Sequence, residues 1–203
     1  MPVYRIHGKS VLFIHVPKTG GTSVENFLRQ HGPEGLHSRG AKLVKPAKGS
    51  ALSSHVPLQH FHAELLQAVF PQGYFDYAFM IVRDPVARLR SAYMHSRELG
   101  RPEGQLTFDH WTRLMLPLAA RLPYLRNNHL RPQAEFECFG AQVFRFEEGV
   151  DSIIGRVAER LGLAAPEVIP HARRGAPAPG EVTPGLQARI WAHFRQDFEK
   201  YGY

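Results

Sequence analysis

The chain has 203 residues, of which 43% are hydrophobic, and this suits one folded domain over residues 1–203 with a sizeable core. No apolar run is long enough for an integral membrane segment, and no N-terminal apolar stretch resembles a signal peptide. The single cysteine excludes an internal disulfide and suits a reducing, cytoplasmic location. A net charge of +7 would suit nucleic acid as a partner, but the basic residues are scattered, which favours a small anionic ligand instead.

The first strong element is an apolar, β-prone segment over residues 11–16, which we interpret as a buried strand. Pro17 ends this strand because it has no N–H group for the sheet ladder. Gly20 and Gly21 then allow the backbone to turn sharply into a helix predicted over residues 22–30. The sequence therefore predicts a strand, a tight glycine turn and a helix in immediate succession.

This turn has the chemistry of an anion site. Thr22 or Ser23 is expected to cap the helix, and the backbone N–H groups of residues 19–23 can bind an anion at the helix N-terminus. Lys18 adds a positive charge at the rim. Lys18 precedes both glycines, whereas in a Walker A loop the lysine follows the glycines. A phosphate-like ligand is therefore predicted, and a plain strand–turn–helix connection is the alternative.

The next part of the chain has weaker patterns. Residues 31–50 are polar, basic and dotted with glycine, and a loop of this length without periodicity is usually functional or mobile. A short strand is predicted over residues 51–56 and a helix over residues 64–70.

A second strand and helix are predicted over residues 77–82 and 85–98. Arg83 stands at the carboxyl end of this strand, and open α/β sheets bind ligands at that edge. Ser91 lies further along the helix and can face the same crevice. An arginine with a hydroxyl group makes a good receptor for a second phosphate. The alternative for Arg83 is an ion pair with Asp84 or another nearby carboxylate.

The remaining elements complete an α/β pattern. We predict helical residues 108–130 with breaks near Pro117 and Pro123, a strand over 142–146, a helix over 151–161 ended by Gly162, and a last helix over about 184–199. Arg88 and Arg90 are expected to form ion pairs on the surface of the helix over residues 85–98. Strands that alternate with helices predict a P-loop-like parallel sheet with helices on both faces.

Together the two motifs resemble the sulfotransferases that use 3′-phosphoadenosine-5′-phosphosulfate (PAPS). The run at residues 13–23 is similar to their 5′-phosphosulfate loop, and the run at residues 82–93 is similar to their 3′-phosphate motif. The carbohydrate sulfotransferase branch, with heparan sulfate 2-O-sulfotransferase and small bacterial relatives, matches best. Further similar segments continue to residues 197–203, so the resemblance spans nearly the whole chain.

The resemblance implies roles for individual residues. The residues implied to bind the phosphosulfate are Pro17, Lys18, Thr19, Gly20, Gly21, Thr22 and Ser23. Lys18 would also neutralise the leaving oxygen, while Arg83 and Ser91 would bind the 3′-phosphate. Arg173 and Arg174 would close over the nucleotide, with a solvated pair of charges as the alternative. The product would be adenosine 3′,5′-bisphosphate (PAP), the acceptor a sugar, glycoconjugate or small molecule, and no metal would be needed.

The residue that takes the acceptor's proton is harder to assign among the 12 histidines. His55 is the first choice, because carbohydrate sulfotransferases carry a basic histidine at a similar point, often followed closely by proline. An unperturbed imidazole titrates near 6.5, which suits a base at neutral pH. His60 and His62 are alternatives if the alignment shifts, and Glu64 is another because some relatives use glutamate.

Two other functions fit parts of the sequence. A nucleotide kinase or hydrolase would share the P-loop-like architecture, and it would depend on Mg²⁺ where a sulfotransferase would not. A basic nucleic-acid-binding domain would account for the net charge, and it would bind random DNA in a salt-sensitive way without binding PAP.

Overall fold

The computed structural model describes residues 3–32, 34–36, 58–122, 124–164 and 180–203. The strands are β1 (Val3–Ile6), β2 (Lys9–Ile14), β3 (Glu34–Leu36), β4 (Tyr77–Val82) and β5 (Gln142–Arg145). The helices are α1 (Gly21–His31), α2 (Ala63–Val69), α3 (Pro85–Glu98), α4 (Phe108–Arg121), α5 (Val150–Leu161), α6 (Pro184–His193) and α7 (Arg195–Tyr201).

The strands form one sheet in the order β3-β1-β2-β4-β5. The predicted parallel arrangement is confirmed for β2, β4 and β5, which pair in parallel so that their carboxyl ends share one edge. An antiparallel hairpin of β1 and β2 extends this sheet, and β3 pairs antiparallel with β1. This hairpin was not predicted; its turn residues His7 and Gly8 both have positive φ (48° and 79°), as a primed two-residue turn requires.

Helices cover both faces of the sheet, as predicted, because alternate strand residues point to opposite sides. On one face, Leu12 and Met80 pack with residues of α2 such as Leu65. On the other, Phe13 and Phe79 stack with ring centroids 5.0 Å apart and pack against α1 and α5. A third cluster joins α3, α4, α6 and α7 beside the sheet.

The element boundaries agree best where the local signals are strongest. Strand 77–82 and helix 85–98 are confirmed, and α5 ends at Gly162 in the left-handed conformation (φ 67°) as expected. The predicted helix over 108–130 was too long, because α4 ends at Arg121. The break expected near Pro117 is absent from this helix, which contains Pro117 in its interior. The last helix divides into α6 and α7 at Phe194, and β3 lies inside the predicted loop over 31–50. The strand predicted over 51–56 lies outside the described residues.

Among the helices in the described ranges, none is both long and apolar enough to cross a membrane.

Candidate active site

The glycine turn after β2 has the geometry of an anion-binding loop. Lys18 and Gly20 both adopt positive φ, 70° and 82°, so the chain reverses sharply before α1 begins at Gly21. A lysine in the left-handed region is strained, and such strain is concentrated at functional sites. The loop is therefore held in a fixed shape at the carboxyl edge of the sheet, with the N-terminus of an 11-residue helix directed at it.

The predicted helix caps were wrong. Gly20 is the N-cap of α1, and no side chain caps the helix there. Thr22 and Ser23 lie inside the first turn, because the left-handed glycine allows the helix to begin earlier than the sequence suggested. The N–H group of Ser23 donates to the Gly20 carbonyl oxygen at 3.1 Å, which narrows the set of loop N–H groups available to an anion.

Other loop residues hold the turn together. The fully buried Thr19 hydroxyl donates to the Val16 carbonyl oxygen at 2.9 Å and so closes the loop from within. Pro17 is buried beside it, whereas Lys18 is only partly buried.

A buried histidine and glutamate brace this loop from below. His15 Nδ1 lies 2.5 Å from Glu25 Oε1, and this bond joins the end of β2 to the second turn of α1. Burial would raise the pKa of Glu25, but the hydrogen bond and charge of His15, with the charge of Arg29, hold it below its usual value. Gly21 passes so close that a Cβ there would lie 2.3 Å from His15 Nε2. Glycine is therefore required at position 21 by the imidazole beneath it.

Arg83 brings the second motif to the same place. It follows β4 directly, and its Nη1 donates to the Lys18 carbonyl oxygen at 3.3 Å. Its guanidinium lies 4.4 Å from the centroid of the Phe146 ring. Asp84 caps α3 by accepting a hydrogen bond from the Ala87 N–H at 2.7 Å, and its charge, like that of Glu147, also acts on Arg83. Burial lowers the pKa of Arg83, which nonetheless stays a cation at neutral pH because arginine titrates so high.

Gln133 fixes the backbone of Arg83. The Gln133 amide accepts from the Arg83 N–H and donates to the Arg83 carbonyl, both at 2.8 Å. Asp197, fully buried on α7, in turn accepts from the N–H groups of Gln133 and Ala134 at 2.9 Å. The backbone of Arg83 is therefore supported, through Gln133, by the C-terminal part of the chain.

Arg88 was expected on the surface, and this expectation was wrong. Its side chain is 1% exposed and donates to the carbonyl oxygens of Arg131 at 2.7 Å and His129 at 3.3 Å. Asp197 lies 4.0 Å away as the counter-ion. Burial lowers the pKa of Arg88 to about 10, although the charge of Asp197 acts in the opposite direction. Arg90 instead donates to the Gly180 carbonyl oxygen.

His60, His62 and Glu64 are the candidate bases that lie within the described residues. His55, Arg173 and Arg174 lie outside the described residues. His60 is buried, with Nδ1 3.4 Å from the His15 carbonyl oxygen and Nε2 3.0 Å from the Gln59 amide nitrogen. His62 is also buried: its Nδ1 lies 3.5 Å from Asn128 Nδ2, and its Nε2 lies 3.5 Å from Glu64 Oε2. The side chain of Glu64 is 83% exposed. Neither buried imidazole presents an open nitrogen to an acceptor.

Gln133 and Asp197 were given no site role from the sequence, whereas His129 was expected to be structural or to face the acceptor. Gln133 and His129 belong to the Asn-His-Leu-Arg-Pro-Gln segment at residues 128–133, one of the segments over which the resemblance continues. A buried amide and carboxylate that bind backbone groups leave no periodic pattern, so only the resemblance could have pointed to them.

The described residues also line a cavity of about 480 Å³ beside Tyr77, Gln142 and Arg160. These residues lie at the amino ends of β4 and β5 and on α5, at the opposite edge of the sheet from Lys18 and Arg83. Open parallel sheets bind ligands at the carboxyl edge, so the cavity gives no support to a second site.

The chain was also compared with known proteins. The model of the sulfotransferase family matches residues 4–203. Among solved structures, the chain is similar to a sulfotransferase from Alicyclobacillus acidocaldarius, with 22% identity and a TM-score of 0.42. That alignment covers 68% of this chain and 56% of the other, so the chain spans little more than half of that protein's length. A search of curated proteins gives no match.

Proposed function

Because the chain belongs to the sulfotransferase family, we propose that it transfers a sulfuryl group from PAPS to a hydroxyl group of a small molecule or glycan. One observation carries this proposal. The Lys18 loop and Arg83 meet at the carboxyl edge of adjacent parallel strands, joined by the 3.3 Å hydrogen bond between them. Two cationic side chains and a helix N-terminus at one edge suit a ligand with two separate phosphate groups.

The residues divide into two groups by the part of PAPS that they would bind. The loop over residues 17–23 would hold the phosphosulfate through backbone N–H groups, with Lys18 beside the bridging oxygen. Arg83 and Ser91 would bind the 3′-phosphate, and Ser91 is partly buried on α3. The pairing of a fixed glycine loop with a half-buried arginine supports this division. Arg173 and Arg174 are proposed to close over the nucleotide.

The chemistry follows from charge. The acceptor oxygen forms a bond to sulfur as the bridging S–O bond breaks, and the electron pair of that bond stays on the departing phosphate. By analogy with phosphoryl transfer, the transition state is loose, so positioning and electrostatics dominate. Lys18 would neutralise the charge that develops on the leaving oxygen. His55 is proposed to take the acceptor's proton. This choice is supported over His60 and His62 because both ring nitrogens of each of those histidines already contact neighbouring groups.

Nucleotide binding tests the two-phosphate proposal. PAP should raise the melting temperature, because a ligand present at 100 times its Kd adds about 2.7 kcal/mol to the unfolding free energy. Adenosine 5′-monophosphate, which lacks the 3′-phosphate, should raise it much less. Equal shifts from the two nucleotides would remove Arg83 and Ser91 from the proposed site.

Turnover tests the proposed reaction itself. Transfer of labelled sulfate from PAPS to a panel of glycans and small hydroxyl compounds should proceed with EDTA present, whereas a kinase or hydrolase would require Mg²⁺. Lys18→Ala should lower kcat far more than it weakens PAP binding, since its charge acts on the breaking bond. A kcat within about twofold of wild type would contradict the leaving-group role.

A further inference from the structure

Four imidazoles form a continuous row from the phosphosulfate loop to α3. The ring centroids are 4.9 Å apart between His15 and His60, 5.3 Å between His60 and His129, and 5.4 Å between His129 and His95. The row begins beneath Gly21 and ends on α3, four residues after Ser91. Because residues four apart share a face of a helix, His95 and Ser91 point to the same side of α3.

His129 differs from the others in what its ring contacts. His15 is bonded to Glu25, His60 contacts a carbonyl and an amide, and His95 lies 3.6 Å from Glu98. His129 as a whole residue is partly exposed, and its imidazole packs between the rings of His60 and His95. Within the described ranges its ring nitrogens make no hydrogen bond, so the ring is oriented by its neighbours while both nitrogens are unengaged there.

The backbone beneath this ring is held firmly. Arg126, Asn127 and Asn128 all have positive φ, between 53° and 65°, and three successive non-glycine residues in this region are unusual. Asn128 is fully buried, and its amide donates to the His60 carbonyl oxygen at 2.8 Å. The Arg88 guanidinium binds the carbonyl of His129 itself. A strained turn with this support places the imidazole accurately.

The surroundings of His129 favour the neutral form of its imidazole and the binding of a negatively charged ligand beside it. Burial lowers the pKa of His129 well below its usual value, and the charges of Lys18, His95, Arg101 and Arg88 act in the same direction. The ring is therefore neutral at pH 7 and has one N–H donor. Burial is the main cause that lowers the pKa of His95, and the charge of Lys18 is the next. The rings of His95 and His129 therefore both lie within the electric field of Lys18. A negatively charged group that enters here meets several cations and an available donor.

We propose that His129 is a catalytic residue that donates a hydrogen bond to an oxygen of the transferring sulfuryl group. This inference rests on the proposed function, in which Lys18 lies at the bridging oxygen. His129 keeps its proton throughout: the acceptor's proton goes to the separate base, and the electron pair of the broken S–O bond goes to the departing phosphate. Because the proposed transition state is loose, the neutral donor acts by orienting the sulfuryl group for in-line transfer between the bridging oxygen and the acceptor oxygen.

Three variants test this role. His129→Leu removes the donor, His129→Gln keeps an N–H group, and His193→Leu is the matched control. His193 touches the same segment through a 3.0 Å contact from its Nε2 to the Leu130 carbonyl oxygen, yet it has no place in the proposed chemistry. Turnover is followed as transfer from sulfur-labelled PAPS to the acceptor that the panel identifies, together with PAP affinity and melting temperature.

We expect His129→Leu to lower kcat by about 10²-fold, because misplacement of a reacting group costs about that much. His129→Gln, which keeps an N–H group, should turn over at least about tenfold faster than His129→Leu. PAP has no sulfuryl group, so its affinity should stay within about twofold in both variants. The acidic limb of the kcat/KM profile should persist, because His129 does not accept the acceptor's proton. His193→Leu should keep wild-type kcat.

Several results would overturn the role of His129. A His129→Leu kcat within about threefold of wild type would do so, as would a parallel loss of PAP affinity and melting temperature, which indicates a structural role. Disappearance of the acidic limb would make His129 the base and not a donor. A wild-type protein that neither binds PAP nor transfers sulfate would overturn the proposed function itself, whereas an active wild type confines any failure to His129.

Discussion

Each half of the proposed active site contains a buried carboxylate, but the two carboxylates bind partners at different distances along the chain. Glu25 binds His15, ten positions away, within one strand–turn–helix unit. Asp197 binds the N–H groups of Gln133 and Ala134, which lie 64 and 63 positions away. The proposed phosphosulfate loop is thus supported locally, while the proposed 3′-phosphate motif is supported by a residue of α7, far along the chain.

The comparison predicts that the long-range brace matters more for stability. Asp197→Asn should lower the unfolding free energy by about 3–5 kcal/mol, because it leaves the buried Arg88 without its counter-ion. Urea unfolding measures the loss. Glu199→Gln, on the same helix, is the control, since the Glu199 side chain is 61% exposed and its ion pair with Arg195 should contribute little. Equal effects of the two variants would show that the carbonyl bonds of Arg88 suffice.

The local brace should contribute less. Glu25→Gln removes a charge-assisted hydrogen bond to His15, for which we expect a loss of about 1–3 kcal/mol at pH 7. The folded state holds the pKa of Glu25 below its ordinary value of 4.5, so its contribution is present above pH 4.5 and disappears as the pH falls through the folded value. The difference between wild type and variant should therefore shrink in acid, and a constant difference from pH 7 to pH 3 would contradict this account.

The same contrast explains what could be predicted from the sequence. Strand β4, helix α3 and the glycine loop depend on neighbouring residues, through apolar runs, Pro85 and Gly20, and these were predicted with little error. The burial of Arg88 depends on Asp197 and on carbonyls of residues 129 and 131, so no local pattern marks it. The helix cap was misassigned because a left-handed glycine and a hydroxyl compete for the same position.

The row of four histidines runs from the glycine loop to α3, and the burial of one of them, His60, can be tested by measuring stability in acid. Burial, with the charges of His15 and His129, lowers the pKa of His60 well below 6.5, so the folded protein does not bind a proton there when the unfolded chain does. Stability should fall as the pH drops from about 6.5, by up to about 1.4 kcal/mol per pH unit for each such histidine. His60→Phe should reduce this slope between pH 6.5 and 5, and the exposed His110→Gln should not. An unchanged slope in His60→Phe would show that the folded state protonates His60.

The smallest expected effect belongs to Ser91, because it tests one neutral hydroxyl at the site that the long-range brace supports. Its removal should cost about 0.5–1.5 kcal/mol of PAP binding, or roughly a twofold to twelvefold higher Kd by titration calorimetry. Adenosine 5′-monophosphate has no 3′-phosphate, so its affinity for Ser91→Ala should equal that for wild type. The melting temperature of the free variant should also be unchanged, because Ser91 is only partly buried. If both nucleotides lose affinity equally, Ser91 supports α3 and does not contact the 3′-phosphate. The second half of the site would then rest on Arg83 alone, positioned by Gln133 and Asp197.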